Sequence, residues 1–84
     1  MDSTQVKAIL EQAIQVQELH VRGEGSHFEV IAVDDAFQTM SRIKKQQLIY
    51  APLADYIQRG DMHAVSIKTF TPDEWARDKK LMSL

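Results

Sequence analysis

The chain of 84 residues contains no cysteine. That absence excludes disulfide staples, thiolate metal sites and nucleophilic thiol chemistry, so burial of helix and sheet faces must hold the fold. Long apolar runs are also missing, which excludes a membrane-spanning helix. The opening residues, Met1-Asp2-Ser3-Thr4-Gln5, show no basic segment followed by an apolar stretch, so no signal peptide is expected there. Together these absences make a cytoplasmic, reducing location the expectation. An excess of positive charge is lacking too: ten Lys+Arg against twelve Asp+Glu give a net charge of -2. Nucleic-acid binders draw most of their affinity from phosphate neutralisation, so any basic surface here is local. The only glycines, Gly23, Gly25 and Gly60, form no phosphate-cradling motif and no Gly-x-x-Gly backbone clamp.

What is present is ordinary globular material. Hydrophobic residues make up 44% of the chain, enough for one domain over residues 1–84 with one modest core. Val6, Ile9, Leu10, Ala13 and Ile14 recur at helical spacing and predict a helix over 3–16, capped by Asp2 or Ser3. From residue 18 the pattern alternates, with Leu19 and Val21 on one side and His20 and Arg22 on the other, which predicts a strand. Gly23-Glu24-Gly25 reads as a tight turn, and residues 26–33 as the second strand of a hairpin, with Phe28, Val30 and Ala32 on one face. Asp34-Asp35 ends that strand and caps a short helical turn over 36–40. Ser41 caps a longer helix over 41–59, whose apolar side is read as Ile43, Tyr50, Leu53, Ala54 and Ile57. Pro52 inside it implies a kink or a restart, the kink being favoured. Gly60 stops it, and residues 62–70 alternate as a third strand. Thr71-Pro72-Asp73-Glu74 is the strongest local signal: a capping box opening a last helix anchored by Trp75, with fraying beyond Lys79. The predicted class is α+β, a small three-stranded mixed sheet with helices packed on one face, in the order αββααβα.

Catalytic signatures are absent. No Gly-x-Ser-x-Gly elbow carries a serine, and the paired carboxylates Asp34-Asp35 and Asp73-Glu74 sit at helix starts, where the dipole accounts for them. The chain therefore reads as non-enzymatic. Its histidines, His20, His27 and His63, show neither His-x-x-His nor His-x-x-x-His spacing, so a self-contained zinc site is not supported. On residue pattern alone, His63 caps or packs a strand end, His27 is an exposed strand residue and His20 faces solvent.

Three ordered blocks carry a resemblance. Gly25-Ser26-His27-Phe28-Glu29-Val30, then Ser41-Arg42-Ile43-Lys44-Lys45-Gln46-Gln47 with Tyr50, then His63-Ala64-Val65-Ser66-Ile67-Lys68-Thr69-Phe70-Thr71 with Glu74-Trp75, resemble the BolA family. The likeness covers nearly the whole chain. The short loop between the first strands and the Lys44-Lys45-Gln46-Gln47 run point to one branch of it. The resemblance implies a fold similar to the class II KH domain. It also implies a monothiol glutaredoxin partner, and a two-iron two-sulfur cluster shared with that glutaredoxin and its glutathione, with none held by this chain alone. Roles in cluster trafficking, iron regulation or acid-stress response are implied by the same likeness. His63 matches the family's cluster ligand at the start of the third strand. His27 is the one candidate for a second ligand from the first hairpin, and an exposed strand residue remains its equal alternative. An imidazole ligand is chemically reasonable, because histidine in place of thiolate raises a cluster's potential.

Arg42, Lys44, Lys45 and Lys68 are the basic candidates for partner or nucleic-acid binding. The bland reading is a solvated helix face. Some family members are reported as DNA-binding regulators, so a nucleic-acid function through this face is the alternative. Arg or Lys at the rim of a glutaredoxin site would equally help to dock the anionic glutathione. A weak homodimer through an exposed strand edge is a third expectation.

Overall fold

The computed structural model describes residues 1–82, apart from the side chains at 24 and 80–82. Helix α1 (Ser3–Ala13) opens on a capping box: Asp2 Oδ1 accepts the Gln5 N–H at 2.9 Å, and Gln5 Oε1 accepts the Asp2 N–H at 2.9 Å. It ends three residues before the expected position, because Ile14 turns extended (φ -134°, ψ 156°). Ile14 and Val16 then pack against the core from the connecting segment.

Strands β1 (Glu18–Glu24) and β2 (His27–Val33) pair antiparallel with Gly23 opposite Phe28. The turn is tighter than expected. Gly25 alone takes a positive φ, 62°, while Gly23 stays in the strand. Its missing Cβ makes room for Phe28, whose Cδ1 would lie 2.5 Å from one. Asp34 then ends β2: its Oδ1 accepts the Ala36 N–H at 2.9 Å and starts a 3-10 turn, Asp35–Thr39.

The long second helix is broken into α2 (Arg42–Tyr50), a 3-10 turn (Ala51–Leu53) and α3 (Ala54–Gln58). Pro52 lies in the first turn of that 3-10 segment, so the restart describes the geometry better than a simple kink. This corrects the expected apolar side. Ile43 is 69% and Tyr50 44% exposed, whereas Ile49 and Leu53 are fully buried. A 3-10 turn advances about 120° per residue instead of 100°, so three such residues rotate the next segment by roughly 60°. A stripe drawn with one uninterrupted period therefore falls on the wrong flank of α2.

Gly60, at φ 84°, closes α3, and β3 (Ala64–Phe70) pairs parallel to β2 in the sheet order β1-β2-β3. Met62, expected to open the strand, is instead a buried core residue before it. The last helix, α4 (Pro72–Met82), has the predicted box: Glu74 Oε1 accepts the Thr71 N–H at 2.8 Å, and Thr71 Oγ1 accepts the Glu74 N–H at 3.4 Å. Those bonds hold the Glu74 carboxyl below its usual pKa. The helix continues through Met82, past the expected start of fraying at Lys79; the rest of that expected tail lies outside the described residues.

The α+β class is as expected, and the main core has the expected one-sided packing. Val6 and Leu10 of α1, Ile49 of α2 and Leu53 cover the face that carries Leu19, Phe28, Val30 and Ala32. Helix α4 departs from it. Its Trp75 packs with Ile31, Val33 and Phe70 in a second cluster, whose strand residues alternate with those of the first and so face the opposite side.

Candidate metal-ligand pair and partner surface

The parallel register sets His27 beside Ala64, the residue after His63. One carbonyl joins the two segments: Ser26 O accepts the His63 N–H at 2.9 Å and the Ala64 N–H at 3.3 Å. Ser26 is placed for this by the Gly25 turn, which returns the chain directly into β2. The two histidines thus sit on neighbouring segments at one end of the sheet, both exposed to solvent. Neither imidazole makes a hydrogen bond or ion pair among the described residues. His63 precedes β3 instead of opening it, so its side chain escapes the alternation assumed for residues 62–70.

Next to His27, on the face away from the main core, Glu29 bridges two cations. Its Oε1 accepts Arg22 Nε at 2.7 Å and lies 2.6 Å from Arg22 Nη2, while its Oε2 lies 3.4 Å from Lys68 Nζ. Desolvation pushes the Glu29 pKa up. The Arg22 and Lys68 hydrogen bonds and their charges outweigh it, and the net shift is downward.

His20 is not simply solvated. Its ring centroid lies 5.3 Å from that of Trp75, and its Nε2 lies 3.8 Å from a Glu18 oxygen. The apolar residues Val30, Ile31, Ala32 and Val33, continuous in sequence, were the signal for a strand covered on both faces.

Among the basic residues, Arg42, Lys45 and Lys68 line one groove between α2 and the outer edge of β3, with Gln46 and Thr69. Gln46 Nε2 donates to the Ile67 carbonyl at 3.2 Å and partly covers that edge. Lys44 is exposed and does not line the groove. Lys68 is shared with Glu29, and the Lys45 charge also acts on Glu74.

No three His, Cys, Asp or Glu side chains gather into a cation site among the described residues. Two imidazoles on adjacent segments suit a metal that completes its coordination from a second molecule. One iron of a two-iron two-sulfur cluster takes two protein ligands beyond its sulfides, and a histidine pair fills that role in Rieske centres. The donor set therefore fits the cluster named by the resemblance. No helix of the described residues is long and apolar enough to cross a membrane.

Comparison with known proteins agrees with this architecture. The family model described as BolA-like protein matches residues 4–74. The chain is 54% identical over 81 residues to the acid stress protein IbaG of Escherichia coli strain K12, covering 96% of each chain. It is 42% identical to an uncharacterized protein of Haemophilus influenzae, covering 96% of this chain and 95% of that one. Among solved structures, a BolA homologue from Coxiella burnetii superposes with a TM-score of 0.75 at 29% identity, over 92% of this chain and 99% of the other. The BolA domain of SufE1 from Arabidopsis thaliana gives 0.70 at 33% identity, over 86% and 93%. With a family model spanning most of its length and a near-full-length relative at 54% identity, the chain belongs to the BolA family, in its IbaG branch.

Proposed function

We propose that this protein is a non-enzymatic, cytoplasmic adaptor that docks a monothiol glutaredoxin and co-ligates a bridging two-iron two-sulfur cluster. The observation that carries this reading is the pairing of His27 and His63 through Ser26 O, with both imidazoles exposed and uncommitted. A chain with no cysteine needs thiolates from its partner. The glutaredoxin and its glutathione would supply those thiolates, with His27 and His63 as the donors this chain would add. The cluster, when bound, supplies electron-transfer chemistry and a transferable iron unit. His27 opens β2, and the His63 backbone N–H is tied to Ser26 O just before β3, so hydrogen bonding to the sheet holds the two backbones side by side. The role in trafficking, iron regulation or acid stress is that of the complex.

The test is a titration of the protein into cluster-loaded monothiol glutaredoxin, followed by visible absorption and circular dichroism. The expected result is a new spectrum complete at equal stoichiometry, absent with His63→Ala and altered with His27→Ala. An unchanged spectrum on adding the wild type ends the shared-cluster reading. A shift that survives His63→Ala removes that residue as the ligand.

A further inference from the structure

We infer that Met62 is the positioning residue of His63: its burial breaks the phase of the chain just before β3 and turns the imidazole out of the core. The inference rests on the function proposed above. On β3, Val65 and Ile67 pack against the main cluster, while Ala64, Ser66 and Lys68 are exposed. Carried back one step, that two-residue period would send residue 63 into the core and residue 62 out of it. The structure has the reverse. Met62 is 1% exposed within the main cluster, and His63 is exposed. Two successive exposed residues, His63 and Ala64, mark the break.

The backbone carries the same break. In a regular strand, successive N–H groups point to opposite edges. Here the N–H groups of His63 and Ala64 both donate to Ser26 O, at 2.9 and 3.3 Å. Two residues opposed by one is the pattern of a β-bulge, which re-aims a side chain.

Upstream, α3 closes in a Schellman cap. The Asp61 N–H donates to Tyr56 O at 2.9 Å and the Gly60 N–H to Ile57 O at 3.1 Å, with Gly60 at φ 84°. Arg59 braces that turn, its guanidinium 4.7 Å from the Tyr56 ring centroid and 3.2 Å from an Asp61 carboxylate oxygen. The backbone is thus tied at Asp61 and again at His63, with Met62 alone between them. Two arrangements compete there: Met62 inward with His63 outward, or the opposite. Burying the methionine gains its apolar transfer, whereas burying an imidazole without a hydrogen-bond partner costs free energy. The contrast between the two side chains therefore sets the phase, and a large apolar residue at position 62 is what offers His63 to a metal.

The experiment compares three variants. Met62→Ala removes the anchor, Met62→Leu refills it, and Ile49→Ala opens a cavity at another fully buried position of the same core. Two quantities are measured: hydrogen exchange of the His63 amide in the apo-protein, and the apparent dissociation constant in the visible titration with cluster-loaded glutaredoxin. Met62→Ala is expected to speed the exchange at least about tenfold and to raise the dissociation constant at least about tenfold. Met62→Leu and Ile49→Ala are expected to stay within about threefold of wild type in both. Trp75 fluorescence verifies that each variant is folded, and Met62→Val, a smaller truncation, carries the comparison if Met62→Ala is not. If Met62→Ala and Ile49→Ala move both quantities alike, Met62 only stabilises the core; the inference fails and the shared cluster stands. An unchanged His63 exchange rate in Met62→Ala overturns it as well. If the wild-type protein leaves the cluster spectrum unchanged, the functional reading fails, and a role of Met62 in ligation falls with it.

Discussion

Replacing Gly23 by alanine should destabilise the protein, although glycine-to-alanine changes in strands usually help. An ideal Cβ at Gly23 lies 2.5 Å from Phe28 Cδ1, 2.7 Å from His27 O and 3.1 Å from Phe28 Cα. The ring can tilt, but it is 4% exposed and packed in the main core. The carbonyl is backbone and cannot rotate away, so the β1–β2 ladder itself must open. Overpacking of this kind costs about 1–3 kcal/mol, with the upper half expected when backbone must move. Loss of unfolded-state freedom returns about 0.4–1 kcal/mol. The net is about 1–2.5 kcal/mol, which for a domain of this size lowers Tm by roughly 5–15 °C. Gly25 is the control. A Cβ there meets nothing within 4 Å, but φ is +62°, so Gly25→Ala incurs about 1 kcal/mol of left-handed strain while Gly25→Asn is nearly neutral. Urea unfolding followed by fluorescence of Trp75, the sole tryptophan, measures all three. A Gly23→Ala midpoint equal to that of wild type would refute the reasoning, as would one no lower than that of Gly25→Asn. Because the displaced carbonyl belongs to His27, the same variant should also weaken the cluster spectrum.

The corrected orientation of α2 predicts that Ile49→Ala costs about 2–4 kcal/mol, since that side chain is fully buried, whereas Ile43→Ala changes stability by less than about 0.5 kcal/mol. Equal effects in urea melts would restore the stripe read from the sequence. The Glu29 carboxyl, with its pKa lowered in the folded protein from an ordinary 4.5, predicts an acid-side dependence. Its stabilisation is fully present above pH 4.5 and is lost as pH falls through the depressed folded value. Unfolding of Glu29→Gln across that interval should therefore show a flatter loss of stability than wild type, and parallel curves would remove the Arg22–Glu29–Lys68 cluster as the cause.

The parts of the fold legible in the sequence are those encoded within a few residues. The capping box at Thr71 to Glu74, the Ser41 cap and the alternation of Phe28, Val30 and Ala32 depend on local hydrogen bonding and on the two-residue period of a strand. The phase of α2 is not legible, because Pro52 converts three residues to a tighter turn and a helical wheel assumes one pitch throughout. The placement of α4 on the far face escapes for a different reason. Alternation assigns Val30 and Ala32 to one buried face, although the continuous apolar run from Val30 to Val33 signals burial on both sides.

The candidate site shows the same division more sharply. His27 and His63 are separated by 36 positions in the chain, and no spacing rule relates them. What brings them together is the return of the chain through α2 and α3 into a strand parallel to β2, in the one register that places His27 opposite Ala64. A slip of one residue in that pairing would move Val65 and Ile67 off the face that buries them, so the core enforces the register. The position of the two histidines is therefore a consequence of hydrophobic packing several residues away. Ser26 O then refines it with two backbone hydrogen bonds. Composition could say that a cysteine-free chain holding a cluster needs a partner's sulfur. Only the family resemblance pointed to the two histidines, and only the parallel register explains in physical terms why the segments that carry them are neighbours.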